Sequence, residues 1–163
     1  MTVEFRTYYF DKAVRNLPAV IEKCKEALRG VEFDTIVGTG FSGGIVIPAL
    51  ALAMGKKFVL IRKEGDDSHH GGGRLVGELG ERWVFVDDFI SSGRTRERVI
   101  TKIANALDFN QKTTMVGQFM YQRNQSGRFE YYADDWAPEA LKPKKKTTDC
   151  TCSLCTGVRE GRI

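Results

Sequence analysis

The sequence predicts an α/β fold in which helices cover both faces of a doubly wound, mostly parallel sheet. Short apolar runs with the length of buried strands recur along the chain, and segments with helical spacing separate them. Alternating strands and helices imply right-handed crossovers, which produce a parallel sheet. A chain of 163 residues with 42% hydrophobic and 28% charged residues suits one compact domain, predicted at 1–141, with a small variable hood and a tail at 142–163.

The elements are predicted in order from periodicity and from their end signals. A helical region is expected at 11–29, where Pro18 opens the second helix, and Cys24 lies in this region. The predicted strands are 33–37, 57–62, 82–86 and 113–121. The other predicted helices are 44–54, closed by Gly55, and 95–107. Residues 63–74 are too polar and glycine-rich to pack, so a mobile loop is expected there.

The net charge of +4 is concentrated at the C-terminal end. Residues 142–163 contain six basic and two acidic side chains, which leaves the rest of the chain neutral. A neutral body argues against a broad nucleic-acid-binding face, although the basic tail could contact an anionic partner. The longest apolar run, 45–54, is too short to cross a bilayer, and the N-terminus has no hydrophobic signal core. These features predict a soluble, cytoplasmic protein.

Three cysteines cluster in the predicted tail at Cys150, Cys152 and Cys155. Three thiols are one ligand short of a closed zinc site, and no histidine lies nearby. A flexible, reduced tail is therefore the preferred interpretation, with structural zinc kept as the alternative.

The stretch TIVGTGFSGG at 35–44 places glycines at Gly38, Gly40 and Gly43, with the spacing of a dinucleotide-binding turn. A dinucleotide site would want an acid at the end of the second strand, yet that strand ends in Arg62 and Lys63. The glycines equally suit the approach of another pyrophosphate to backbone N–H groups. NAD(P) binding is thus kept as a lesser alternative.

The stretch VFVDDFISSGRT at 84–95 carries the most chemistry. Two adjacent carboxylates cannot be buried unpaired, so Asp87 and Asp88 are expected at the rim of the sheet, where the strand has left the core. The two hydroxyls and the glycine at 92–95 lie at the start of the next helix, where backbone N–H groups can bind a phosphate. A phosphate pocket beside two carboxylates suits a ribose 5-phosphate. An acidic helix cap and an ordinary turn explain each residue alone but not their order.

In this stretch the chain resembles the type I phosphoribosyltransferases, whose signature for phosphoribosyl pyrophosphate (PRPP) has the same order of hydrophobic, acidic and phosphate-loop residues. Residues 61–77, with Arg62, Lys63 and the pair His69 and His70, are similar to the loop region of orotate phosphoribosyltransferases. The resemblance covers about 33–107. It implies a Mg²⁺-dependent enzyme that transfers the ribose 5-phosphate of PRPP to a nitrogen of a base and releases pyrophosphate, and it implies a homodimer.

The resemblance also implies roles for individual residues. Asp87 and Asp88 would bind the ribose hydroxyls, directly or through Mg²⁺. Lys63, His69 and His70 would act on the pyrophosphate, although exposed histidines need no role. The implied binding residues are Thr39, Gly40, Phe41, Ser42, Gly43 and Gly44 at the pyrophosphate loop, Arg62 and Lys63 after the second strand, and Ser91, Ser92, Gly93, Arg94 and Thr95 at the 5-phosphate. In this family the pyrophosphate loop often contains a non-proline cis peptide.

Two departures keep alternatives open. Where orotate enzymes have a loop lysine, this chain has residues 65–68, with two acids, so orotate specificity and full catalysis are in doubt. A PRPP-binding regulator of the pyrimidine-attenuation type, which binds RNA, is the second function class, and the neutral body argues against it. Aromatic rings at 5–10 and 129–136 could stack on a base, although such residues are more often core or edge-strand residues.

Overall fold

The computed structural model describes residues 15–62, 75–89, 93–107, 111–122 and 129–131. Within these ranges the helices are α1 (Leu17–Ala27), α2 (Gly40–Met54) and α3 (Arg94–Ala106). The strands are β1 (Thr35–Thr39), β2 (Lys57–Ile61), β3 (Leu75–Gly77), β4 (Arg82–Asp87), β5 (Thr114–Met120) and β6 (Glu130–Tyr131). The predicted tail, the aromatic segment at 5–10 and the whole of the predicted loop at 63–74 lie outside the described residues.

The described strands form one six-stranded sheet in the order β3-β2-β1-β4-β5-β6. The four central strands, β2, β1, β4 and β5, pair in parallel. The short strands β3 and β6 pair antiparallel at the two edges. The mostly parallel sheet is therefore confirmed, and both antiparallel edges are additions to the prediction.

Helices cover both faces of the sheet, as predicted for a doubly wound fold. Side chains of a strand alternate between faces, so each strand contributes to two apolar clusters. One cluster joins α1 and α2 to Ile36, Val84 and Phe119, and the other joins α3 to Val37 and Phe85. No helix in the described ranges combines the length and the apolar character needed to cross a bilayer.

The connections place a crevice at the carboxyl ends of β1 and β4. From β1 the chain passes through α2 to β2 on one side, whereas β4 lies on the other side of β1. The strand order therefore reverses between β1 and β4, and in open α/β sheets ligands bind at this point. Residues that follow β1, β2 and β4 share the same rim because these strands are parallel.

The opposite rim, at the amino ends of the strands, is held together by Asp34. Its Oδ2 accepts hydrogen bonds from the backbone N–H groups of Glu81 and Arg82, each at 2.9 Å. The Thr35 hydroxyl donates to Asp34 Oδ1 and accepts from Gly80 N–H at 2.9 Å. These bonds join the chain before β1 to the chain entering β4. The strand itself spans Thr35–Thr39, two residues further along the chain than the predicted 33–37.

Candidate functional site

The glycine turn after β1 forms the first turn of a helix, not a separate loop. Thr39 is the extended N-cap residue of α2, and Gly40, with φ of 71°, is its first residue. The helix was predicted to begin at Gly44, so this start is a correction of four residues. All peptide bonds in the described ranges are trans, which contradicts the cis peptide that the resemblance implied.

The start of α2 lies at the rim and carries backbone N–H groups that the helix itself does not use. The Thr39 side chain makes no cap hydrogen bond to the helix, because its hydroxyl donates to the carbonyl of Ile61 at 2.7 Å. The first N–H groups of a helix have no acceptor within the helix and attract anions. Gly40, Phe41, Ser42, Gly43 and Gly44, all predicted to bind pyrophosphate, lie in this first part of α2.

Gly38 allows this helix to lie close to the sheet. A Cβ added at Gly38 would overlap Ile47 of α2, and one added at Gly43 would lie 3.4 Å from the Gly38 carbonyl carbon. Two of the three glycines in the motif thus serve close packing of α2 on β1. The third, Gly40, accommodates the left-handed backbone at the turn.

The two carboxylates lie at the end of β4 but in different environments. Asp87 is the last strand residue and is 5% exposed, whereas Asp88 is half-buried. The expectation that both acids stand clear of the core is therefore wrong for Asp87. Backbone groups compensate for part of this burial: Asp88 N–H donates to Asp87 Oδ1 at 2.9 Å, and Phe89 N–H donates to Asp88 Oδ1 at 2.7 Å.

The predicted phosphate turn leads into α3 as expected. Gly93 is the N-cap with φ of 75°, Arg94 is the first helical residue, and Thr95 follows half-buried. Among the described residues no side chain caps α3, and the helix itself does not use its first N–H groups. Ser91 and Ser92 lie outside the described residues.

Arg62 follows β2 directly. Because β2 is parallel to β1, Arg62 lies at the same rim as the start of α2. The Lys102 ammonium on α3 donates to the carbonyl of Arg62 at 2.6 Å, which ties the end of β2 to that helix. Lys63, His69 and His70 lie outside the described residues, so their placement stays a prediction. The structure thus brings together Thr39, the start of α2, Arg62, Asp87, Asp88 and the start of α3.

Tyr121 is a site residue that sequence reasoning missed. It follows β5, is 3% exposed, and its N–H donates to the carbonyl of Asp87 at 3.1 Å. Burial, and then the charge of Asp88, raises the pKa of the phenol well above its ordinary value. The nearby Ser42 hydroxyl lowers the pKa of the phenol and so opposes part of this shift. The contact between the two hydroxyls does not meet the geometry of a hydrogen bond, and the buried phenol has no hydrogen-bond partner among the described residues. A tyrosine at the end of an apolar strand carries no sequence signal for such a position.

A metal at this site would need oxygen atoms from a ligand as well as from the protein. The described ranges contain no group of three or more histidine, cysteine or acidic side chains able to hold an ion. Two carboxylates do suit Mg²⁺, which commonly binds one or two carboxylates together with substrate phosphates. Cys150, Cys152 and Cys155 lie outside the described residues, so zinc in the tail is untested.

Sequence comparison finds relatives among curated enzymes. The chain is 34% identical over 90 residues to an orotate phosphoribosyltransferase of Methanoculleus marisnigri, a match that covers 53% of this chain and 52% of the relative. It is 38% identical over 79 residues to an adenine phosphoribosyltransferase of Bifidobacterium longum, covering 39% of this chain and 41% of the relative. The matched part of this chain is thus similar to orotate and adenine phosphoribosyltransferases. It spans about half the length of these relatives or less. No protein-family model matches the chain.

Solved structures agree on the fold. An orotate phosphoribosyltransferase from Aeropyrum pernix aligns with a TM-score of 0.53 at 17% identity, covering 74% of this chain and 66% of that one. A Leishmania donovani UMP synthase aligns with a TM-score of 0.53 at 22% identity, covering 67% of this chain and 23% of that one. These alignments confirm the predicted fold class of phosphoribosyltransferase type.

Proposed function

We propose that this protein transfers the 5-phosphoribosyl group of PRPP to a nitrogen of a nucleobase, of the orotate or adenine kind, and releases pyrophosphate. The observation that carries the proposal is the crevice where the strand order reverses. There a helix start without a side-chain cap follows β1, two carboxylates lie at the end of β4, and a second such helix start comes after them. Two anion sites on either side of a carboxylate pair match a sugar with phosphate groups at both ends.

Each part of the crevice has a role in this proposal. The start of α3, with Gly93 and Thr95, would hold the 5-phosphate through backbone N–H groups. Asp88 and Asp87 would accept hydrogen bonds from the ribose hydroxyls. The start of α2 would hold the pyrophosphate, with Arg62 beside it.

Mg²⁺ fits the same carboxylates and would neutralise pyrophosphate as it leaves. Glycosyl transfer passes through an oxocarbenium-like state, in which positive charge develops on the sugar and negative charge on the leaving group. Asp88 would stabilise the positive charge, and the N–H group of Ser42 in the first turn of α2 the negative charge. Because these groups are oriented in advance, they need little reorganisation during the reaction.

The test is PRPP consumption with Mg²⁺ against a panel of bases that includes orotate and adenine. Asp88→Asn keeps the shape of the side chain and removes its charge, and we expect turnover to fall by about a hundredfold or more. Glu78→Gln is the matched control because Glu78 is an exposed acid that pairs with Lys57 away from the crevice. Equal turnover in wild type and Asp88→Asn would refute the mechanism. PRPP binding without turnover on any base would favour the regulatory alternative.

The homodimer, the cytoplasmic location and the use of Mg²⁺ are part of this proposal. Sedimentation of the purified chain tests the dimer, and turnover in the presence of a chelator tests the metal. Loss of turnover with EDTA and its return with added Mg²⁺ are the expected results. Turnover that is indifferent to the chelator would remove the metal from the proposal.

A further inference from the structure

A basic cavity lies on the α3 side of the rim, between the ends of β1 and β2 and the first three turns of α3. Its volume is about 310 Å³. The lining residues are Thr39, Ile61, Arg62, Thr95, Arg98, Val99 and Lys102. Arg98 and Lys102 were not predicted as site residues, and they lie one helical turn apart on the same side of α3.

Among the described residues, the lining carries three cations and no acidic side chain. Within the described ranges, no ion pair or hydrogen bond engages the guanidinium of Arg62 or of Arg98. The Lys102 ammonium uses one of its three donors on the Arg62 carbonyl, so two remain. Like charges that converge without a counter-charge repel one another. An anion in the cavity would remove that repulsion.

The donors at the cavity suit phosphate oxygens. A guanidinium offers paired N–H groups that match a phosphate, and an ammonium adds a point charge. The Thr39 hydroxyl donates to the Ile61 carbonyl and is left only as an acceptor, which leaves Thr95 as the free hydroxyl donor of the lining. The buried side chains of Ile61 and Val99 add apolar surface to the lining, and charge–charge attraction is stronger beside apolar surface than in water.

We propose that this cavity is an oligophosphate-binding subsite in which Arg98 and Lys102 act together with Arg62. Its volume lies at the lower end for small-molecule pockets, so it has room for more than a single phosphate group. The inference rests on the proposed function in one respect, since Thr39, Arg62 and Thr95 are also proposed PRPP contacts. The oligophosphate is either the pyrophosphate end of the substrate or the phosphate chain of a nucleotide effector.

The test measures binding of inorganic pyrophosphate to the full chain by calorimetry, without Mg²⁺ and without a base. Arg98→Gln should weaken binding by about tenfold or more, and Lys102→Gln by a similar factor. Arg98→Lys keeps the charge but loses the paired donors, so an intermediate loss is expected. Lys25→Gln is the control, because Lys25 is an exposed lysine on α1 that pairs with Glu22 far from the cavity. Circular dichroism confirms that each variant is folded.

Competition identifies the source of the phosphate groups. Displacement of pyrophosphate by PRPP assigns the cavity to the substrate, whereas displacement by ATP or UTP but not by PRPP assigns it to an effector. The subsite is refuted if wild type does not bind pyrophosphate, or if Arg98→Gln and Lys102→Gln both bind it as tightly as wild type. Because this assay needs no turnover, an inactive chain that binds pyrophosphate through Arg98 would refute the proposed function and leave the subsite standing.

Discussion

Substitution of Gly38 by alanine tests the packing that forms the pyrophosphate turn. Gly38 lies in β1 beneath α2, and a methyl group there would overlap Ile47 Cγ1 and lie 2.9 Å from Ile47 Cδ1. It would also lie 3.3 Å from the carbonyl oxygen of Val86. Because Ile47 is fully buried, its side chain cannot swing into solvent. The helix must therefore move away from the strand.

The expected cost follows from two opposing effects. Overpacking a core costs about 1–3 kcal/mol, whereas alanine in place of glycine favours the folded state by about 0.5–1 kcal/mol through the unfolded chain. We therefore expect Gly38→Ala to lower the free energy of unfolding by about 1–2 kcal/mol. Gly44→Ala is the matched control, since Gly44 lies in α2 and a methyl group there meets no heavy atom within 4 Å. It should raise the free energy of unfolding by about 0.5–1 kcal/mol.

Urea unfolding followed by circular dichroism gives both values by linear extrapolation. Combining Gly38→Ala with Ile47→Ala should cost less than the sum of the single substitutions, because the second removes the atoms with which the new methyl group collides. The reasoning is refuted if Gly38→Ala is as stable as wild type while Gly44→Ala shows its expected gain.

Three further predictions concern single side chains. Asp34→Ala should lower the free energy of unfolding by about 2 kcal/mol, because it breaks the hydrogen bonds from Glu81 N–H and Arg82 N–H. In the same urea assay, substitution of the exposed residue Glu32 by alanine should change the free energy of unfolding by less than about 0.5 kcal/mol. Tyr121→Phe should raise the free energy of unfolding by about 1 kcal/mol, because it removes a buried hydroxyl that has no partner in the described residues. A loss of stability would contradict this prediction, and Tyr131→Phe, at an exposed position, is the control. Burial raises the pKa of the Cys24 thiol from 9.0 to about 12, so the unfolded chain ionises first and stability falls as pH rises above 9. Between about pH 8 and about pH 10 this loss is about 1.4 kcal/mol, and Cys24→Ala should lack it; equal slopes in both proteins would contradict the assignment.

Local sequence was enough wherever one segment carries the whole feature. The apolar run at 82–86 predicts a buried strand that is followed by two acids, and the structure has β4 at Arg82–Asp87. Gly55 was predicted to close α2 and does so with φ of 62°. The burial of Asp87 escaped prediction because it depends on neighbours from other strands and helices, not on the residues beside it in the chain.

The sequence by itself determined the class of fold and the presence of a carboxylate pair before a glycine-containing helix start, because apolar periodicity and turn chemistry act over a few residues. Only the tertiary structure decided which side chains meet at the rim. Lys102 reaches the Arg62 carbonyl across 40 positions of sequence, and Tyr121 lies beside Asp87 because β5 pairs with β4. Such contacts depend on strand order and register, which are set by packing of the whole sheet, so no local pattern records them.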